Sequence, residues 1–315
     1  AEGCRRYLIE NGMLTRLWGM TNQSKIFDAS PGLRFCVVEL RPSKVKRQDT
    51  VLTWFGDSPN SFTESDWLKL SRQDLLRDGG RMPEIFDQKE HVLWHQMKTA
   101  SHSVGDVLDD ASINFYQEMN MTLDSPRFDS WHEWSTKNNL NGDPRVLPFR
   151  DVLKEQRILC VQEKGTISAY NAWLKQAPRY VCQEEMLTEP PDGVRKRVRT
   201  LALSKYWRLA LRATIHASEP QKVVAALVPP GSVVGNSALT ESTPELASWE
   251  DRLLVLGVLN SDTINWYASK YVATNLNQHI LRSIPFPELR DSDRDTIRLC
   301  ALGLILHELP QEALS

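Results

Sequence analysis

Between Val194 and His216 the chain reads VRKRVRTLALSKYWRLALRATIH. Seven basic residues fall there with no acid among them: Arg195, Lys196, Arg197, Arg199, Lys205, Arg208 and Arg212. In the second half, Trp207, Leu209 and Leu211 alternate with Arg208, Ala210 and Arg212. Successive side chains leave a strand on opposite sides, so an apolar–polar period of two predicts a strand with one buried face. SEPQ then makes the turn, and KVVAALVPPG returns as a more apolar strand ended by Pro229-Pro230-Gly231. The expected product is an antiparallel pair carrying Arg208 and Arg212 on its open face, a surface suited to phosphates or base edges. A solvated sheet face without a ligand satisfies the same pattern.

The whole chain is not basic. Its formal charge is −2, so any basic surface is local, and net charge makes no case for nucleic acid or membrane binding. A length of 315 residues, 41% of them hydrophobic, suffices for one large domain or two ordinary ones. The five cysteines are scattered and form no C-x-x-C pair, which points to a reducing cytoplasm and away from a disulfide framework or zinc site. No apolar run approaches membrane-spanning length, and the N-terminus is not a signal peptide. The chain opens on Ala in what reads as the middle of a helix, so it is read as a piece of something longer.

CRRYLIENGML predicts a short helix stopped at Asn11-Gly12, and LTRLWGM a strand. After a loop with Pro31-Gly32, Phe35 to Leu40 reads as a buried strand; DTVLTWFG follows the basic turn Lys44 to Arg47, which predicts a hairpin. This region resembles the closing edge of an α/β sheet without a Gly-rich turn to cradle a cofactor. SFTESDWLKLSRQDLL predicts a capped helix before the Gly79-Gly80 turn, and KEHVLWHQM another helix. Residues 113 to 150 read as long structured loops, RILCVQEK as a strand, and AYNAWLKQ as either a short helix or an irregular link. SWEDRLLVLGVLNSDTINWYASKYV is one long helix or two in tandem with a break at Asn260-Ser261. DSDRDTIRLCALGLILHEL is an amphipathic helix with Ser292 as its N-cap.

Few residues form a catalytic pattern. His91 and His95 share a helix face but lack the third ligand and the H-E-x-x-H order that zinc chemistry uses, so they read as surface histidines. Asp151 with Gln162-Glu163-Lys164 only loosely imitates a nuclease metal site, whose first position wants a carboxylate. There is no G-x-S-x-G, Walker lysine loop or Cys-His pairing. Ten tryptophans exceed what a core of this size demands; most belong to the core, and some suit base stacking. Near the C-terminus, YVATNLNQHILRSIPFPEL gathers Asn275, Asn277, Gln278 and His279, side chains that satisfy base edges or phosphates and equally cap a helix.

Several of these stretches, in order, resemble the C-terminal half of the adenine-N6 DNA methyltransferases of type IIG restriction–modification and related phage-defence systems, with a TaqI-like target-recognition region. YLIENGMLTRLWGMTNQSKIFDASPGLRFCVVEL is similar to the last helix and strands of the methyltransferase sheet, and MPEIFDQKE to a segment leading into a helix. NFYQEMNMTLDSPRF resembles a signature carried here by Glu118, Met121, Thr122, Asp124, Ser125 and Phe128. WRLALRATIHASEPQKVVAALVPPG resembles the Arg-rich hairpin, and NLNQHILRSIPFPEL the block that closes the recognition domain after Leu259-Asn260-Ser261. The chain departs from the family at LPFRDVLKEQ, where a Leu-Pro-Leu-x-Glu-Gly-Lys type segment is common, and at SEPQK, where Lys222 stands in for an arginine.

The resemblance implies an α+β fold: a remnant of the methyltransferase sheet over 1–57, a mixed α/β target-recognition domain over 58–290, and an amphipathic helix over 291–315. It implies a cytoplasmic protein that binds double-stranded DNA beside a methyltransferase core, in cis or in trans, with no membrane partner. DNA contacts are expected first from Arg208 and Arg212, then from Lys222, Asn275, Asn277 and His279, then from Thr122, Asp124 and Ser125. Local hydrogen bonding is the alternative role for the 122–125 group, and capping for the asparagines. The chain has neither the Gly-rich loop for S-adenosylmethionine nor the Asn/Asp-Pro-Pro-Tyr/Phe loop that holds a flipped adenine. That cofactor is expected in a missing catalytic part, and this chain alone is not expected to methylate. A free-standing specificity or adaptor subunit, docking through residues 1 to 57, is the alternative.

Overall fold

The computed structural model describes residues 2–29, 33–42, 49–139, 153–172, 178–216, 219–272 and 274–308. Two compact units emerge: Ala1–Ser103 with Tyr267–Ala273 and Pro285–Pro287, and Val104–Trp266 with Thr274–Ile284 and Glu288–Ser315.

In the first unit, helix α1 (Glu2–Glu10) leads into strand β1 (Leu14–Thr21), followed by β2 (Arg34–Leu40), β3 (Thr50–Gly56) and β4 (Leu68–Ser71). The sheet order is β2-β1-β3-β4. β1 is antiparallel to β2 and parallel to β3, so the hairpin expected from β2 and β3 does not form. Its proposed basic turn lies outside the described residues. β2 is also not buried: Val37, Val38 and Leu40 are 44–50% exposed, because among the described residues β2 pairs on one side only. The helix expected over SFTESDWLKLSRQDLL is shorter, since Leu68 and Leu70 alternate into β4 and α2 (Arg72–Arg77) starts only after Ser71. Buried Arg72 donates to Ile9 O (3.2 Å) and Leu14 O (2.5 Å), tying α2 to the α1–β1 junction. Trp18, Trp54, Phe62 and Trp67 stack edge to face, which places three tryptophans in the fold itself. Helix α3 (Gln88–Lys98) carries His95 against Asp74 (3.3 Å), and strand β5 (His102–Ser103) pairs with Pro285–Phe286.

Among the described residues, the second unit holds two sheets. In chain order its elements are α4 (Val104–Asp110), β6 (Phe115–Tyr116), β7 (Phe128–Ser130), α5 (Trp131–Lys137), β8 (Ile158–Gln162), β9 (Tyr170–Asn171) and β10 (Tyr180–Gln183). After them come α6 (Glu185–Thr188), α7 (Val198–Leu203), β11 (Arg208–Arg212), β12 (Ala225–Val228), β13 (Ser232–Val234) and β14 (Ala238–Glu241). Helices α8 (Trp249–Leu259), α9 (Asp262–Ser269), α10 (Gln278–Arg282) and α11 (Asp291–Glu308) follow. One sheet runs β13-β8-β10-β7 and the other β6-β14-β11-β12-β9.

The expected antiparallel pair of β11 and β12 is present, with Leu209 opposite Leu227. The helical stretch is two helices, broken at Asn260-Ser261. Asn260 accounts for the break: its side chain accepts from Ala225 N (3.0 Å) and donates to Ala225 O (2.9 Å), joining the helix end to β12. Helix α11 begins at Asp291, so Ser292 lies inside its first turn; the preceding Arg290 N–H donates instead to Asp293 (3.3 Å).

Helices α8 and α11 meet at Gly257, where a Cβ would stand 2.5 Å from Ile297 Cγ2 and 3.2 Å from Ile297 O. Gly257→Ala gains about 1 kcal/mol of helix propensity, but overpacking costs about 1–3 kcal/mol. The backbone contact cannot be relieved by a rotamer change, so the expected net result is a loss of about 1 kcal/mol. Urea denaturation of the variant checks this; an unchanged or raised midpoint means the helices separate freely.

Candidate nucleic-acid interface

The open arginine face expected on β11 is absent. All five residues of β11 are buried, because the strand sits inside its sheet and both faces are covered. Arg208 is fully buried; it donates to Glu118 (2.7 Å) and to Ser232 O on β13 (2.8 Å). Arg212 donates to Glu219 (2.9 Å) and through Nε and Nη2 to Ile167 O. These guanidiniums hold the two sheets and the following turn together. Lys222 is also buried, with its backbone N–H on Asn265 Oδ1 (2.8 Å) and its Nζ near His216 O (3.4 Å).

The remaining sequence candidates lie along one surface of the second unit. β8, β11 and β13 end, and β14 begins, at the same edge. Gly235 N–H donates to Gln162 O (2.8 Å), Lys164 N–H to Ser237 Oγ (2.8 Å), and Ala213 and Thr214 N–H to Ser237 O (3.0 and 3.2 Å). The segment after Thr274 is annexed to this edge: Ile215 N–H donates to Thr274 O (2.8 Å) and Leu276 N–H to Ala213 O (2.9 Å). Thr214, Asn236, Asn275 and Asn277 are therefore exposed along these strand-end loops, and His279 is exposed in the first turn of α10. Asn277 occupies the N-cap position of α10, yet its side chain makes no cap bond. Gln278 instead reaches Phe115 O (2.5 Å).

At the other end of the edge, the turn 120–125 is pinned by its own side chains. Asn120 Oδ1 accepts from Thr122 and Leu123 N–H (3.0 Å each), and Ser125 Oγ donates to Thr122 O (2.9 Å). Asp124 is 2% exposed and accepts from Asn120 N–H (2.8 Å), Arg127 Nε (3.0 Å) and Arg197 Nη2 (2.8 Å). Thr122 and Ser125 remain exposed, whereas Asp124 acts inside the turn. Burial raises the Asp124 pKa, but the Asn120 N–H and the two arginines outweigh it, so the carboxyl is held below its ordinary value.

A depressed carboxyl pKa contributes stability above the unfolded value, about 3.9, and that contribution disappears as pH falls through the lower folded value. Asp124→Asn is accordingly expected to be less stable than the parent at pH 6, with the gap closing toward pH 3 or below. Denaturant midpoints across that range test it; a gap independent of pH would assign the loss to packing.

The same turn borders the basic run. Arg197 pairs with Asp124, and Arg195 O accepts from Arg127. Arg195, Lys196 and Arg199 are exposed. Arg199 lies over the Tyr116 ring (5.5 Å) and donates to Ser242 O (3.1 Å). Exposed aromatics continue past α7: Trp207 meets Trp249 edge to face at 6.0 Å, and both are more than a third exposed. On the edge itself, Lys164 is paired with Glu219 (2.5 Å). Burial raises the Glu219 pKa, but Lys164, the His216 N–H and Arg212 lower it overall.

The cationic run thus meets the rigid turn through Arg197 and Asp124 (2.8 Å), and the turn meets the amide row where Met121 N–H donates to Asn236 Oδ1 (3.5 Å). Sequence reasoning missed Asn236 and Thr214; the signal for Asn236 was the Gly-Asn-Ser turn between two strands. Asp151 lies outside the described residues, and among those residues no three His, Cys, Asp or Glu gather to hold a metal ion. Among them, too, no helix is long and apolar enough to cross a membrane.

No family model matches the chain, and no curated protein matches it in sequence. Among solved structures it is similar to the type IIL restriction–modification enzyme MmeI in complex with DNA. That likeness has 10% identity and a TM-score of 0.48, and covers 95% of this chain and 39% of that one. It is also similar to the type IIG restriction endonuclease BpuSI, at 10% identity and a TM-score of 0.33, over 96% of this chain and 40% of that one. The chain spans about two-fifths of the length of each.

Proposed function

We propose that this chain is the DNA target-recognition part of an adenine-N6-specific, S-adenosylmethionine-dependent methyltransferase of a restriction–modification or phage-defence system. The observation that carries the reading is in the second unit: the exposed Arg195, Lys196 and Arg199 flank Arg197, which holds the turn presenting Thr122. That turn meets Asn236, with Asn275 and Asn277 on a neighbouring loop and His279 in the first turn of α10, all exposed. Cations of this kind neutralise phosphates and set register, whereas amides and hydroxyls on short loops suit base edges. Arg208, Arg212, Lys222 and Asp124 serve this surface from inside, by holding its strands and turn in place. The cofactor and the base-flipping loop are assigned to a catalytic core, because this sequence has no turn of either type.

The alternative adaptor reading rests on a different observation. The edge strand β2 exposes Val37, Val38 and Leu40, with Ile26, Phe27 and Leu33 also more than two-fifths exposed nearby in sequence. A free, apolar edge favours pairing with a strand of another domain or chain, and both readings use it to dock on a methyltransferase core.

Anisotropy titrations of a labelled DNA duplex across a salt series test DNA recognition. The expected affinity falls steeply as salt rises, with the logarithmic slope counting the phosphates engaged. Absent or salt-independent binding would leave the adaptor reading in place.

A further inference from the structure

Glu163 directly follows β8 on the polar edge. Its backbone is fully used: the N–H donates to Thr166 Oγ1 (3.0 Å), and the carbonyl accepts from Thr166 and Ile167 (3.0 and 3.2 Å). The side chain runs over Gly235, where a Cβ would stand 2.7 Å from Met121 Sδ and 3.5 Å from Glu163 Cγ. Glycine at 235 thus permits Met121 and Glu163 to crowd the same backbone position. The half-buried Glu163 and Met121 share one backbone position, adjoining in sequence the exposed Thr122 and Asn236.

The buried acids of this unit all have donors. Glu118 has Arg208 and Val234 N–H, Asp124 has Arg127 and Arg197, and Glu241 has Arg252 and Leu209 N–H. Glu163 differs: among the described residues no donor hydrogen-bonds to its carboxylate and no cation pairs with it. Its neighbour Lys164 is committed to Glu219. Burial pushes the Glu163 carboxyl pKa up, and Arg179 offsets this only in part. A half-buried acceptor without a donor costs stability, and such groups concentrate where a ligand completes them.

We propose that Glu163 is a specificity-determining residue that accepts a hydrogen bond from the exocyclic amino group of a cytosine in the DNA major groove, with Met121 against the C5 edge of that base. Cytosine fits better than adenine. An ionised carboxylate only accepts, and adenine presents its N7 acceptor next to its amino donor, which opposes the second oxygen. Cytosine presents its donor beside an apolar C–H, matching a carboxylate flanked by a thioether. This inference rests on the DNA-recognition reading above.

The test selects bound duplexes from a randomised pool with the full chain and with Glu163→Gln. The parent pool is expected to hold one cytosine position that the variant pool loses, with discrimination there falling about five- to a hundredfold. Affinity for unselected duplex should hold or rise, since a negative charge leaves the interface. Removing an uncompensated charge should also leave the thermal midpoint at neutral pH equal or higher, separating this role from a structural one. In the parent, cytosine preference should weaken as pH falls through the raised carboxyl pKa. Identical selected sequences, or a uniform loss across all duplexes, would overturn the proposal while leaving DNA recognition intact. A parent chain with no duplex affinity overturns both.

Discussion

Glu118→Ala is expected to destabilise the second unit by about 3–5 kcal/mol, the cost of stranding one partner of a buried ion pair. Glu118 is 1% exposed and holds Arg208 at 2.7 Å and the Val234 N–H at 2.8 Å. Arg208 is 0% exposed, so its charge is left buried when the carboxylate goes. Among the described residues, its Nε already lacks an acceptor. Replacing both residues with methionine should recover most of the loss, since an apolar pair of similar volume carries no desolvation penalty. Urea denaturation of the single and double variants forms the cycle. A single-variant loss below about 1 kcal/mol would show that water or a rearranged side chain reaches Arg208. Arg208→Ala should likewise behave as a folding variant, and duplex affinity measured on its folded fraction should match the parent.

Replacing Arg195, Lys196 and Arg199 together by alanine should have the opposite profile, a large loss of DNA affinity with little loss of stability. Each phosphate neutralised releases about 0.9 counterion, so three contacts are worth about a hundredfold at 0.15 M salt. The logarithmic salt slope should fall by about 2–3 units, equally for all duplex sequences. Exposed substitutions each move stability by about 0.5 kcal/mol or less, with Arg199 at the upper end because it also covers Tyr116 and bonds Ser242 O. An unchanged slope would move the duplex to another face of the unit.

The two experiments divide the basic stretch into halves that the sequence presents as one. Arg195, Lys196 and Arg199 precede or begin the short helix α7 and remain at the surface. Arg208 and Arg212 belong to a strand between two neighbours. The amide-rich segment 275–279 was legible as a polar loop because no apolar periodicity competes there. Glu163 stood out only in a loose nuclease-like pattern and Asn236 only in a Gly-Asn-Ser turn, and nothing local marks the two as neighbours. Glu163 comes beside Gly235, the residue before Asn236, only because β8 and β13 run parallel and end together.

What the sequence by itself determined was periodic and local. Alternation over Trp207 to Arg212 specified a strand, the apolar return specified its antiparallel partner, and Asn260-Ser261 broke the helical stretch. Tertiary structure alone decided which sides of those elements are covered. A period of two says that arginines share a face, but covering that face requires β13 from the other sheet and acids from elsewhere in the chain. Glu118 lies 90 residues before Arg208, and Glu219 seven after Arg212. Once those acids arrive, a buried guanidinium keeps its charge satisfied, and a face that reads as open to DNA becomes part of the core.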